Sequence, residues 1–120
     1  MNIDLTGKTA IVTGSTRGIG RGIAGTLASC GARVAVVGRD KTIAEGVAAG
    51  ITGARGFACD VSVPADVLRL VGDVEKEFGA VDILVNNAGV TKDNLMLRIK
   101  DDDWDTVLDS NLRSAFLAIR

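Results

Sequence analysis

The 120-residue sequence predicts an α/β protein: a parallel sheet of about four strands in the order 3-2-1-4, helices on both faces, a truncated doubly wound fold. Three observations carry this. Short apolar runs alternate with helical stripes four times along the chain. The runs are apolar throughout, as strands buried on both faces are. A glycine-rich turn joins the first run to the first stripe. No linker, repeat or low-complexity tract interrupts the pattern, so residues 1–120 read as one domain.

The first strand is KTAIVTG, residues 8–14, rich in β-branched residues and bounded by glycine. Ile19, Ile23, Leu27 and Cys30 then recur at helical spacing, and Gly31 stands where a helix-ending glycine belongs. RVAVVG, residues 33–38, is a second strand. Ile43, Val47 and Ile51 mark a second helix, which Gly46 and Gly50 weaken by about 1 kcal/mol each relative to Ala. GFACD, residues 56–60, is a short third strand. The third helix is the clearest: Val63, Val67, Leu70, Val71, Val74 and Phe78 share a face, Ser62 and Pro64 mark its entry, and Gly79 its exit. VDILVNNAG, residues 81–89, supplies a fourth strand. The three aspartates at 101–103 suit the start of a final helix, with Trp104, Val107, Leu108, Leu112, Ala115 and Ile119 on its apolar stripe.

Hydrophobic residues make up 47% of the chain, which fits helices covering a buried sheet or apolar surface hidden in a subunit contact. Gly, Arg and Asp interrupt every apolar stretch before membrane-spanning length, and the N-terminus lacks the basic and apolar regions of a signal peptide. Cys30 and Cys59 are too few for a disulfide framework and read as small hydrophobes. Net charge is −1 with no basic cluster, so neither nucleic acid nor membrane is an expected partner. There is no histidine, no metal site is expected, and a cytoplasmic protein is the default.

The turn Thr13 to Gly20, TGSTRGIG, places Gly14, Gly18 and Gly20 between a strand and a helix. Glycines there let backbone approach a pyrophosphate, and the helix N-terminus stabilises the anion. The spacing matches neither G-x-G-x-x-G nor a P-loop, and a tight turn without ligand would also use it. Its position after the first strand favours a Rossmann-type nucleotide loop. An NAD site usually sets an acid at the end of the second strand, whereas a 2′-phosphate calls for arginine. Gly38 and Arg39 stand there, and Arg17 in the first loop reaches the same region, so the pair favours NADP(H) over solvated arginines. Asp60 ends the third strand, as an acceptor for an adenine amino group, a helix-entry residue, or both. Asn86 and Asn87 either bind backbone across strands or border a ligand. Asn111 projects from the final apolar stripe, where a buried amide needs partners.

TGSTRGIG, CDVS at 59–62, NNAG at 86–89 and SNLRSAF at 110–116 resemble, in order and spacing, the short-chain dehydrogenase/reductase family. The resemblance covers the whole chain, and residues 89–116 look most like its 3-oxoacyl-[acyl-carrier-protein] reductase branch. It implies that Gly14, Ser15, Thr16, Arg17, Gly18, Ile19 and Gly20 hold the NADP pyrophosphate and adenosine ribose. It implies that Asp60 and Val61 contact adenine, and that Asn87, Ala88 and Gly89 lie along the cofactor. Asn111 matches one member of a catalytic tetrad with serine, tyrosine and lysine. The chain contains no tyrosine and ends at Arg120, inside the helix carrying Asn111, while members of the family run to about twice this length.

Cofactor binding therefore carries over, and turnover by this chain alone is not expected. Two further readings stand beside it: a fragment completed into an active reductase by another chain, and a self-assembling scaffold with a vestigial phosphate loop. A fourth strand with an open edge predicts a homodimer, through that edge or through the final helix.

Overall fold

The computed structural model describes residues 4–87 and the backbone of residues 96–99. Its elements run β1 (Thr9–Val12), α1 (Gly18–Ser29), β2 (Arg33–Gly38), α2 (Lys41–Ala49), β3 (Ala54–Ala58), α3 (Pro64–Phe78), β4 (Ile83–Asn86) and β5 (Met96–Ile99). The four parallel strands lie in the expected order, β3-β2-β1-β4. As the central strand, β1 pairs with β2 from Thr9↔Arg33 to Val12↔Val36, and with β4 from Ala10↔Ile83 to Val12↔Val85. All four of its residues are buried.

Strand alternation divides the core into two layers. Ala10, Val12, Val34, Val36, Ile83 and Val85 pack against Ile23, Ala24 and Leu27 of α1 and Ala44 and Ala48 of α2. Ile11, Ala35 and Val37 face the other way, onto Leu70 and Val74 of α3. Phe57 and Phe78 meet edge-on at 6.4 Å beside this second layer. Asp82 pins the start of the sheet: its Oδ2 accepts from Thr9 N at 3.0 Å, and its own N–H donates to Thr9 O at 2.9 Å. Among the described residues no helix is long and apolar enough to cross a membrane.

Three expectations change. Ile19 and Ile43, assigned to the core stripes of the first two helices, are 48% and 55% exposed. On α2 the buried positions are Ala44 and Ala48, because the helix lies so close to Gly56 that a Cβ there would collide with the backbone of Ala44 and Glu45. Small residues fit that gap and isoleucine does not. Val63 is 43% exposed because it is the N-cap of α3, one residue before the helix and off its buried face.

The third change concerns the edge of β4. β5 pairs with it antiparallel, from Ile83↔Ile99 to Asn86↔Met96, so its ladder positions are filled within the chain and cannot recruit a second copy. The fourth strand therefore does not present the open edge on which a homodimer was expected. The final helix, the other surface expected for it, lies outside the described residues.

Candidate functional site

The carboxyl ends of β1, β2 and β3 open onto a cleft of about 900 Å³. The first wall is the β1–α1 loop. Its base is Ser15, fully buried: Ser15 Oγ donates to Val12 O at 2.6 Å and accepts from Val37 N at 2.8 Å, and Ser15 N donates to Val37 O at 3.0 Å. From the β4 side, Asn87 Nδ2 donates to Gly14 O at 3.2 Å and Asn87 N donates to Thr13 Oγ1 at 2.9 Å. Asn86 Oδ1 lies 3.0 Å from Thr13 Oγ1. The asparagines thus bind across strands, and Asn87 lines the cleft as well.

Between these anchors Gly14 (φ 61°) and Gly18 (φ 62°) adopt left-handed conformations that make the loop tight. α1 then begins at Gly18 with no side-chain cap from Arg17 and no acid in its first turn. The positive end of its dipole is left uncompensated where Gly18 and Ile19 line the cleft.

The second wall is the turn after β2, where Gly38, Arg39, Asp40 and Ile43 line the cleft. Asp40 is committed to the fold: its Oδ1 accepts from Ile43 N at 3.1 Å as the N-cap of α2. Arg39 and Arg17 are exposed on the same cleft, and no salt bridge closes either guanidinium among the described residues.

The third wall is the end of β3, with Cys59 and Val61. Asp60 Oδ1 accepts from Ser62 N at 3.0 Å and from Ser62 Oγ at 2.6 Å, which lowers its pKa, with a smaller contribution from Arg39. Its backbone N–H donates to Asp66 Oδ2 at 2.7 Å. Arg69 spans Asp66 and Asp73 on α3 and donates to Ala58 O at 2.6 Å, clamping the strand end. Cys59 is buried, and burial and the Asp66 carboxylate push its thiol pKa up, so it packs as a neutral small group.

Of the residues expected at a site, the cleft gathers Gly14, Thr16, Arg17, Gly18, Ile19, Arg39, Val61 and Asn87. Ser15 and Gly20 stand behind it, holding the loop. Asp60 stands beside it, its side chain accepting from Ser62 in the turn that precedes α3. Ala88, Gly89 and Asn111 lie outside the described residues. Sequence reasoning missed Val37, Asp40, Ile43 and Cys59 as lining residues, and missed the Asp66–Arg69 clamp. The clamp had a legible signal, an acid in the first helical turn followed three residues later by arginine.

The clamp has a testable pH signature. The Asp66 pKa is lowered to about 2, first by its hydrogen bond with Arg69 and then by the Asp60 N–H. The stabilisation is therefore complete above the unfolded-state value near 3.9 and is lost as pH falls through about 2. Urea unfolding of the wild type and Asp66→Asn should show a constant gap at neutral pH that narrows between pH 4 and pH 2. A gap independent of pH would mean that the ion pair contributes nothing.

Comparison with known proteins agrees with this geometry. The family model for short chain dehydrogenases matches residues 8–120. The chain is 45% identical over 112 residues to the 3-oxoacyl-[acyl-carrier-protein] reductase FabG of Salmonella typhimurium, covering 92% of this chain and 46% of that protein. It is 46% identical over 118 residues to the reductase of the same name from Staphylococcus epidermidis, covering 94% and 48%. The crystal structure of a hydroxysteroid dehydrogenase from Escherichia coli superposes with a TM-score of 0.69 at 38% identity, over 72% of this chain and 38% of that one. The chain spans about half the length of the curated relatives it matches. With the 3-2-1-4 parallel sheet and the glycine loop after its central strand, these matches place the chain in the short-chain dehydrogenase family.

Proposed function

We propose that the chain is the NADP(H)-binding part of a short-chain reductase. The observation that carries this reading is the presence of Arg17 and Arg39 on one cleft whose lining carboxylate, Asp40, is already the cap of α2. An NAD site uses an acid at the end of the second strand for the ribose hydroxyls, and here that turn offers Gly38 and Arg39. Guanidinium groups suit a 2′-phosphate because their planar fork matches its oxygens. The loop from Gly14 to Gly18 and the uncapped start of α1 suit a pyrophosphate, and Ile19, Ile43 and Val61 offer apolar surface to a nucleobase. Ala88 and Gly89 belong to the cofactor's flank in this reading.

The names of the relatives make a 3-oxoacyl thioester the substrate class of the longer protein. Reduction of its carbonyl needs an acid aimed at the oxygen, and these 120 residues contain neither tyrosine nor histidine. The chain by itself thus binds cofactor without turnover, and Asn111 contributes only once serine, tyrosine and lysine are supplied.

Calorimetric titration with NADPH and NADH tests the reading. The chain should bind NADPH in preference, and Arg39→Ala should weaken NADPH by about ten- to a hundredfold while changing NADH by less than about threefold. No saturable binding of either cofactor up to millimolar concentration would overturn it.

A further inference from the structure

The last residue of β2 adds a steric element to this selection. Gly38 and Thr16 both line the cleft, and a Cβ built on Gly38 would stand 2.7 Å from Thr16 Cγ2, closer than two carbons pack. The same Cβ would lie 3.5 Å from Thr16 Oγ1 and 3.7 Å from Thr16 Cβ, both ordinary contacts. The Thr16 methyl therefore fills the space that a side chain at position 38 would need.

Thr16 is poorly able to yield that space. Its neighbour Ser15 is buried and bonded to both β1 and β2, and the carbonyl of Gly14 is held by Asn87. The backbone is pinned just before Thr16, and β-branching stiffens its χ1. Position 38 ends the second strand, the place from which a carboxylate would reach the ribose hydroxyls of NAD.

We propose that Thr16 and Gly38 form a specificity-determining steric pair: the Thr16 methyl, lying over Gly38, keeps a carboxylate from being accommodated there, so the position from which an acid would favour an unphosphorylated ribose is restricted to glycine while that methyl is in place. The proposal rests on the NADP(H) reading above and deepens it. It makes the two positions interdependent. An acid at 38 with Thr16 in place displaces the loop that holds the phosphates. The same acid combined with Thr16→Ala is relieved of the 2.7 Å contact, leaves the residue-16 Cβ at an ordinary 3.7 Å and can turn towards a ribose.

The test compares the full chain with Gly38→Asp, Thr16→Ala and the double variant, by NADPH and NADH titration and by urea unfolding. Gly38→Asp alone should bind both cofactors more weakly and unfold at lower urea. Adding Thr16→Ala should restore the midpoint and tighten NADH by about tenfold over Gly38→Asp, with NADPH still weak because carboxylate and phosphate repel. NADH binding equally tight in the single and double variants would overturn the steric pair.

If Gly38→Asp fails to fold, Gly38→Ala supplies the same comparison by unfolding alone. It should be destabilising when Thr16 is present and close to neutral in the Thr16→Ala background, and equal effects in the two backgrounds would overturn the pair. Absence of NADPH binding by the unsubstituted chain would overturn the cofactor reading and this inference together. Normal NADPH binding without coupling between the two positions would overturn the inference alone.

Discussion

Gly20→Val is expected to destabilise the fold by about 2–4 kcal/mol and to abolish NADPH binding. Gly20 is the third glycine of the loop and sits buried in the first turn of α1. A Cβ there would collide with the carbonyl oxygen of Gly14 and stand 2.5 Å from Asn87 Nδ2. It would be driven between the two partners of the hydrogen bond that ties the loop to the end of β4. Both are held, one by the loop backbone and one by the strand end, so relief requires α1 to move away from the sheet. That movement opens the Ile23, Ala24 and Leu27 layer and displaces the helix N-terminus from the cleft.

Urea unfolding followed by circular dichroism, with NADPH titration, measures both effects. Gly22→Ala is the control on the same helix: nothing lies within 4 Å of its added Cβ, and it should stabilise by about 0.5–1 kcal/mol. A Gly20→Val chain as stable as wild type would refute the close approach.

Ser15→Ala should cost about 1–3 kcal/mol, although it removes a single oxygen. The Ser15 hydroxyl is fully buried, and it joins two strand ends by donating to Val12 O and accepting from Val37 N. Alanine leaves the Val37 N–H facing a methyl group in a site that water does not reach. The same bond fixes the distance between the glycine loop and the β2 turn that carries Arg39. NADPH should therefore bind more weakly to Ser15→Ala even though Ser15 does not line the cleft. Ser62→Ala, at an exposed hydroxyl bonded to Asp60, should change stability much less. Equal losses in the two variants would mean that burial of the Ser15 bonds adds nothing.

Much of the fold was legible because strand and helix periods differ and the inner parallel strands β1, β2 and β4 are nearly continuous apolar runs. KTAIVTG, RVAVVG and VDILVNN read as strands without ambiguity, and Pro64 and Gly79 bracketed α3 as observed. The site was legible in outline for a related reason. A glycine loop after the first strand and an arginine after the second lie at the ends of adjacent strands once the order is 3-2-1-4. The failures share a cause: apolar spacing shows that a residue avoids water without showing what covers it. Ile19 and Ile43 fit helical stripes, yet they stand on the cleft wall, while Ala44 and Ala48 do the packing. β5 was missed because a four-residue segment within the stretch after NNAG has too little pattern to announce a strand.

By itself the sequence determined the class of fold, the order of its parallel strands and the loops that border the cleft. Those follow from local periodicity, glycine placement and the handedness of βαβ connections, all properties of short stretches of chain. Only the tertiary structure decided which loop residues face the cleft and which hold it in shape. Ser15 and Thr16 are neighbours of similar chemistry, yet one bridges β1 and β2 and the other lies over Gly38. Their roles depend on contacts with residues more than twenty positions away, and such distances exist only after the sheet has formed.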